Sequence, residues 1–201
     1  MTNNGLIWLL GLICLYRNKK IILISHCLLN VNAKVNGLAK YKGVQNELIK
    51  LLIDQGIGII QLPCPEMGCA GIRRWGQVKE QLDTPYFIKY CNEIFTPILD
   101  QVIDYQKNGY KVIAIIGVDG SPSCGVGQTC SSEKWGGELA NYQNTEEIKN
   151  DIKMVNESGI FMEQIKRLLE DNHLYIPMLS VEEDNPANSV VNIQRFLKGE
   201  I

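Results

Sequence analysis

Four short apolar runs mark this chain: Ile21-Ile22-Leu23-Ile24, residues 57–62, residues 112–118 and residues 174–179. Runs of this length, rich in β-branched and other aliphatic residues and free of charge, read as strands of a buried sheet. Between them the hydrophobic period lengthens. Val44, Leu48, Leu51 and Leu52 recur at helical spacing and the segment closes on Gly56, which predicts a helix over 43–55. Asp83-Thr84-Pro85 supplies a capping side chain, then a proline whose missing N–H costs nothing at a helix start. Ile94, Ile98, Val102 and Tyr105 follow one face as far as Asn108-Gly109, and Pro97 inside the segment predicts a kink or two abutting helices.

Three further helices are expected. One lies near 146–155, a second runs over 157–170 through Ile160, Phe161, Ile165, Leu168 and Leu169, and a third extends from Asn185-Pro186 to Gly199. Residues 67–81 read as a long loop. Strands alternating with helices build a parallel sheet with right-handed crossovers. The expectation is an α/β protein: one Rossmann-like, three-layer domain over 19–201, with a central parallel sheet of about four strands. The polar stretch 128–156 is long for a strand-to-helix connection, and stretches of that kind read as lids more often than as plain linkers.

Composition narrows the function classes. The 201 residues suit a single core, and 45% hydrophobic with 21% charged residues describe an ordinary globular chain. A formal net charge of −2 argues against a nucleic-acid polymer or an anionic membrane as the main partner, since both attract a basic face. Residues 5–16 are apolar, with Arg17, Lys19 and Lys20 behind them. Twelve residues are too few to span a bilayer, and no charged region precedes them as in a signal peptide. Residues 1–18 therefore read as an apolar N-terminal extension of a cytoplasmic protein with no stable membrane insertion. Seven cysteines, odd in number and irregular in spacing, favour metal or thiol chemistry over a disulfide framework.

Three of those cysteines are placed alike. Cys27 follows Ser25-His26, Cys64 lies in Pro63-Cys64-Pro65-Glu66, and Cys124 lies in Asp119-Gly120-Ser121-Pro122-Ser123-Cys124-Gly125. Each stands just beyond a predicted strand, and the carboxyl ends of parallel strands share one sheet edge, where such folds bind ligands. Three thiolates predict a metal site with one coordination position left open, and soft sulfur ligands select zinc, copper or an iron–sulfur cluster. Zinc usually recruits histidine or a close cysteine pair, and the chain has only His26 and His173. Cys14 and Cys91 read as small buried hydrophobes. Cys69 reads equally well as a further ligand or a loop thiol, and Cys130 carries no assignment.

Ser25-His26-Cys27-Leu28-Leu29, Cys64-Pro65-Glu66 and Ser121-Pro122-Ser123-Cys124-Gly125 together resemble the DUF523/TudS family of thiouracil desulfidases, closest to its TudS-related desulfidase branch. Asn36-Gly37 and an arginine after the Cys64 loop also fall where that family's pattern has them. Asn30, Ala33 and the run Met67-Gly68-Cys69-Ala70-Gly71-Ile72 depart from it. The resemblance spans about residues 21–161. It implies a 4Fe-4S cluster on Cys27, Cys64 and Cys124 with one open iron, a catalytic Glu66 and a catalytic Ser121. A cluster of this kind is readily lost from protein prepared in air.

The chemistry expected is removal of sulfur, as hydrosulfide, from a small thiolated compound such as a thiouracil-like base. Glu66 would activate the attacking water and Ser121 orient substrate or relay a proton. Arg73, Arg74 and Ser123 are the candidate substrate-binding side chains. Two alternatives stand beside this reading: a non-catalytic metal or iron–sulfur binding protein, and a thiol enzyme with Cys124 as nucleophile. Glycine spacing after the third strand does not fit a dinucleotide fingerprint.

Overall fold

The computed structural model describes residues 17–138, 140, 142 and 144–200. All but the last two residues of the apolar stretch 1–18 lie outside that set. In chain order the elements are β1 Lys20–Ile24, α1 His26–Leu29, α2 Asn46–Asp54, β2 Gly58–Gln61, α3 Pro65–Ala70, α4 Lys79–Leu82 and α5 Pro85–Lys107. Then follow β3 Lys111–Val118, β4 Thr129–Ser131, α6 Thr145–Asp151, β5 Lys153–Val155, α7 Ile160–Asp171, β6 Met178–Val181 and α8 Pro186–Lys198.

The central sheet has four parallel strands in the order β2-β1-β3-β6. Alternation along the strands divides the core into two layers. Ile21 and Leu23 of β1, with Val112 and Ile115 of β3, pack against α5 and α7 through Phe95, Leu99, Phe161 and Ile165. Ile22 and Ile24, with Ala114 and Ile116, pack on the other side against Leu48 and Leu52 of α2 and Ile193 of α8. The fold is thus the expected three-layer α/β arrangement, with β1 and β3 buried at its centre.

Several elements differ from the sequence expectation for identifiable reasons. Helix α5 runs unbroken through Pro97. Pro97 is exposed, so the carbonyl it leaves unpaired faces water, and Thr96 Oγ1 donates to Asn92 O at 2.8 Å beside it. The loop expected over 67–81 instead holds most of α3 and most of α4; α3 starts at Pro65, which fits the first helical position behind the Cys64 cap. The fourth strand begins at Met178, four residues later than expected, because Tyr175 is exposed and the ladder starts with Pro177 O accepting from Ile115 N. The helix expected near 146–155 stops at Asp151, and residues 153–155 pair as β5 with β4 in a small antiparallel sheet.

The described residues of the stretch 128–156 include several bonded to the rest of the domain. Glu80 accepts from Ser131 Oγ and, at 3.1 Å, from Ser132 N. Trp135 Nε1 donates to Gly76 O at 2.9 Å. No helix among the described residues is long and apolar enough to cross a membrane.

Candidate functional site

The site forms at the carboxyl edge of the sheet, where β1, β2 and β3 each release a polar segment. Register fixes this: Ile24 pairs with Gln61 of β2 and with Ile116 of β3. Ser25 N then donates to Ile116 O, and Cys27 enters α1 two residues later. Cys64 lies three residues beyond β2 and caps α3, its Sγ accepting from Met67 N at 3.4 Å.

Cys124 reaches the same place by a different path. Strand β3 runs on to Val118 and the chain turns back, so that Val118 N donates to Cys124 O at 2.9 Å. This return needs Gly117, because a Cβ there would stand 2.5 Å from the Cys124 carbonyl oxygen. Gly159 does the same from the start of α7, where a Cβ would lie 2.5 Å from the Ser123 carbonyl carbon. Ser121 Oγ accepts from Cys124 N at 3.0 Å and from Ser123 N at 3.4 Å, holding the turn shut.

Around these thiols the polar groups are buried and paired. Glu66, at 8% exposure, accepts from Ser123 Oγ at 2.6 Å through Oε1 and from Arg74 Nε at 3.2 Å through Oε2. Arg74 is as buried as its partner and also donates to Ala33 O at 2.8 Å, tying the segment after α1 to the Glu66 helix. Ser121 Oγ lies 3.3 Å from Ser123 Oγ, which makes a chain of two hydroxyls ending on the carboxylate. Ser123 Oγ is also 3.6 Å from Cys124 Sγ. Ser25 Oγ is fully buried and has no hydrogen-bond partner.

The three thiols act on one another. Burial pushes Cys27 up to about 12, with Cys124, Cys64 and Glu66 adding to the rise and Lys34 opposing it. Burial likewise pushes Cys124 up to about 12, reinforced by Cys64 and Glu66. Cys64 is raised by burial and held back by the Met67 N–H. Without a metal these are neutral thiols; bound irons would draw them to thiolate.

Cys27, Cys64 and Cys124, buried or half-buried near Glu66, are soft donors of the kind that suit an iron–sulfur cluster or another thiophilic metal. Among the described residues no three cysteine, histidine or acidic side chains are grouped closely enough to share one metal ion. The Met67 N–H on Cys64 and the unpartnered Ser25 hydroxyl are donors that would hydrogen-bond the sulfur of a cluster held here.

Of the residues singled out from sequence, Cys27, Cys64, Cys124, Glu66, Ser121, Ser123 and Arg74 come together. Arg73 does not: it is exposed and makes no ion pair among the described residues. Cys69 is exposed, Cys130 lies beside Gln77 with Sγ 3.5 Å from its carbonyl oxygen, and Cys91 is in the core. Sequence reasoning missed Lys34, whose half-buried ammonium pairs with Glu183 and acts on Cys27, Glu66 and Cys124. A lysine in a polar loop gives no sign in sequence of being buried. It also missed Trp75 and Trp135, which line one cavity of about 610 Å³ with Arg74.

No protein-family model matches the chain. It is 40% identical over 110 residues to an uncharacterized protein of Methanocaldococcus jannaschii, a match that covers 55% of this chain and 70% of that one. Among solved structures, the 4Fe-4S-dependent thiouracil desulfidase TudS superposes with a TM-score of 0.51 at 15% identity, covering 87% of this chain and 97% of that chain. This likeness of fold agrees with the DUF523/TudS resemblance of the three motifs.

Proposed function

Because the chain belongs to the same family as that Methanocaldococcus jannaschii protein and has the fold of a thiouracil desulfidase, we propose that it is an iron–sulfur-dependent desulfidase. The observation that carries this reading is the delivery of Cys27, Cys64 and Cys124 to one sheet edge by β1, β2 and the loop after β3, with Glu66 buried on Ser123 beside Cys124. When bound, a 4Fe-4S cluster held by three cysteines supplies one iron free of protein ligands, a Lewis acid that takes sulfur. The substrate is a small thiolated compound, thiouracil-like in carrying a C=S or C–SH group on a ring.

The protein's own residues do the rest. Glu66 Oε1 receives a proton from the attacking water, directly or through Ser123 Oγ, which already donates to it. The water oxygen bonds to the thiolated carbon, the C–S bond breaks, and sulfur departs as hydrosulfide. Ser121, half-buried and 3.3 Å from Ser123 Oγ, extends the proton path toward solvent. Arg74 holds the Glu66 carboxylate in position, and it borders the cavity of Trp75 and Trp135. That cavity, about 610 Å³, is of the size that small ligands occupy and offers two indoles to a flat ring.

The test is hydrosulfide release from a panel of thiolated heterocycles, with protein prepared without oxygen. Glu66→Gln is expected to keep its iron and lose about 10²- to 10⁴-fold in rate, the range of general-base catalysis. Full activity in that variant would remove Glu66 from the mechanism. Iron binding without turnover of any substrate would leave a cluster-binding protein instead.

A further inference from the structure

We propose that Lys34 and Glu183 form a charge pair that sets how tightly the site holds anionic sulfur. The inference rests on the desulfidase reading and adds to it a residue pair that the mechanism above does not use.

The placement comes first. Lys34 closes the short turn Val31–Ala33, and the carbonyl of Ala33 accepts from Arg74, the partner of Glu66. One residue therefore separates Lys34 from the hydrogen-bond network of the catalytic carboxylate. Glu183 comes from the segment after β6, so the fourth strand also contributes to the sheet edge where the other three deliver their cysteines. A second link, Lys40 to Asp184 at 2.9 Å, joins the same two segments at the surface. Tyr41 Oη donates to Cys27 O at 3.0 Å, so the Lys34–Gly43 segment also reaches the first cysteine.

The energetics say the pair is not there for stability. Side-chain exposures of 13% and 12% put both charges largely out of water. Such pairs cost desolvation that their attraction barely recovers, and apolar residues of like volume usually hold a fold as well. The pair is also incomplete, since Glu183 Oε1 is buried with no hydrogen-bond partner. What the arrangement provides is a cation whose field reaches Cys27, Glu66 and Cys124, tempered by one carboxylate. Those neighbours are three negative charges once the thiols are ligands, and hydrosulfide adds another. Lys34 favours retention of that anion, and Glu183 offsets it so that the product leaves.

Opposite signs separate this role from a structural one. Cluster-loaded protein is prepared without oxygen, and sodium sulfide is titrated in while visible absorbance is followed. Lys34→Gln is expected to weaken hydrosulfide binding roughly tenfold, the scale of one charge at partly screened separation. Glu183→Gln is expected to strengthen it by a similar factor, and the double variant to return close to wild type. The reduction potential should move in parallel, down in Lys34→Gln and up in Glu183→Gln. Lys34→Arg, which keeps the charge, should resemble wild type.

Weakening in both single variants, or no change in either, would overturn the proposal. If Lys34→Gln does not fold, Glu183→Gln and Lys34→Arg still decide it by the same signs. Wild-type protein that assembles no cluster would overturn the desulfidase reading, and this inference with it. A cluster that assembles but ignores these charges would overturn the inference alone.

Discussion

At the scale of single residues, the site is defined by which polar atoms touch. Two adjacent arginines follow the Cys64 segment, and sequence offers no means of ranking them. The structure does: Arg74 is buried on Glu66, and Arg73 is exposed. Arg74→Met leaves a buried carboxylate without its partner and should cost about 3–5 kcal/mol of unfolding free energy. Arg73→Met should stay within about 0.5 kcal/mol of wild type. Urea denaturation of the two variants measures this directly, and equal midpoints would contradict the assignment. The serines show a similar division. Ser121 and Ser123 are indistinguishable as residues of a turn, yet Ser123 touches Glu66 while Ser121 braces the backbone of Cys124. The resemblance to a desulfidase points to Ser121 as catalytic; the contact with the carboxylate adds Ser123 to the proposed proton path.

At the scale of elements, the strand ends were legible because three apolar runs are abruptly broken by a serine, a proline and an aspartate at Ser25, Pro63 and Asp119. The helices on the two faces were legible from their periodic apolar residues. Hidden from sequence were the elements made by long-range contact. Strands β4 and β5 are three residues each and form by pairing with one another, with Thr129 also bridged to Gly120. The depth of Cys124 was hidden too, since its place depends on glycines far apart in the chain that leave room for its loop. Gly159 tests this most simply, because its φ of −73° suits alanine and only the backbone of Pro122 and Ser123 opposes a side chain. Gly159→Ala should cost about 1–3 kcal/mol, as overpacking does, and should lower iron occupancy by shifting Ser123 and Cys124. Thermal denaturation and iron content report the two effects; an alanine tolerated in both would mean the loop does not depend on that approach.

At the scale of the whole molecule, a parallel sheet converts three sequence-distant cysteines into one donor set, and α3 adds a carboxylate beside it. The fourth strand contributes as well, through Glu183 and its pairing with Lys34. That contribution was illegible, because Glu183 sits among the acidic residues Glu182 and Asp184 and any of the three could have met a cation. The desulfidase proposal requires that these cysteines hold an iron–sulfur cluster. The direct measurement is iron and acid-labile sulfide content, with visible absorbance, of protein purified without oxygen, for wild type and Cys124→Ala. Wild-type protein is expected to be brown with near-equal iron and sulfide, and the variant to lose both. Colourless wild-type protein that holds zinc or no metal would contradict the proposal.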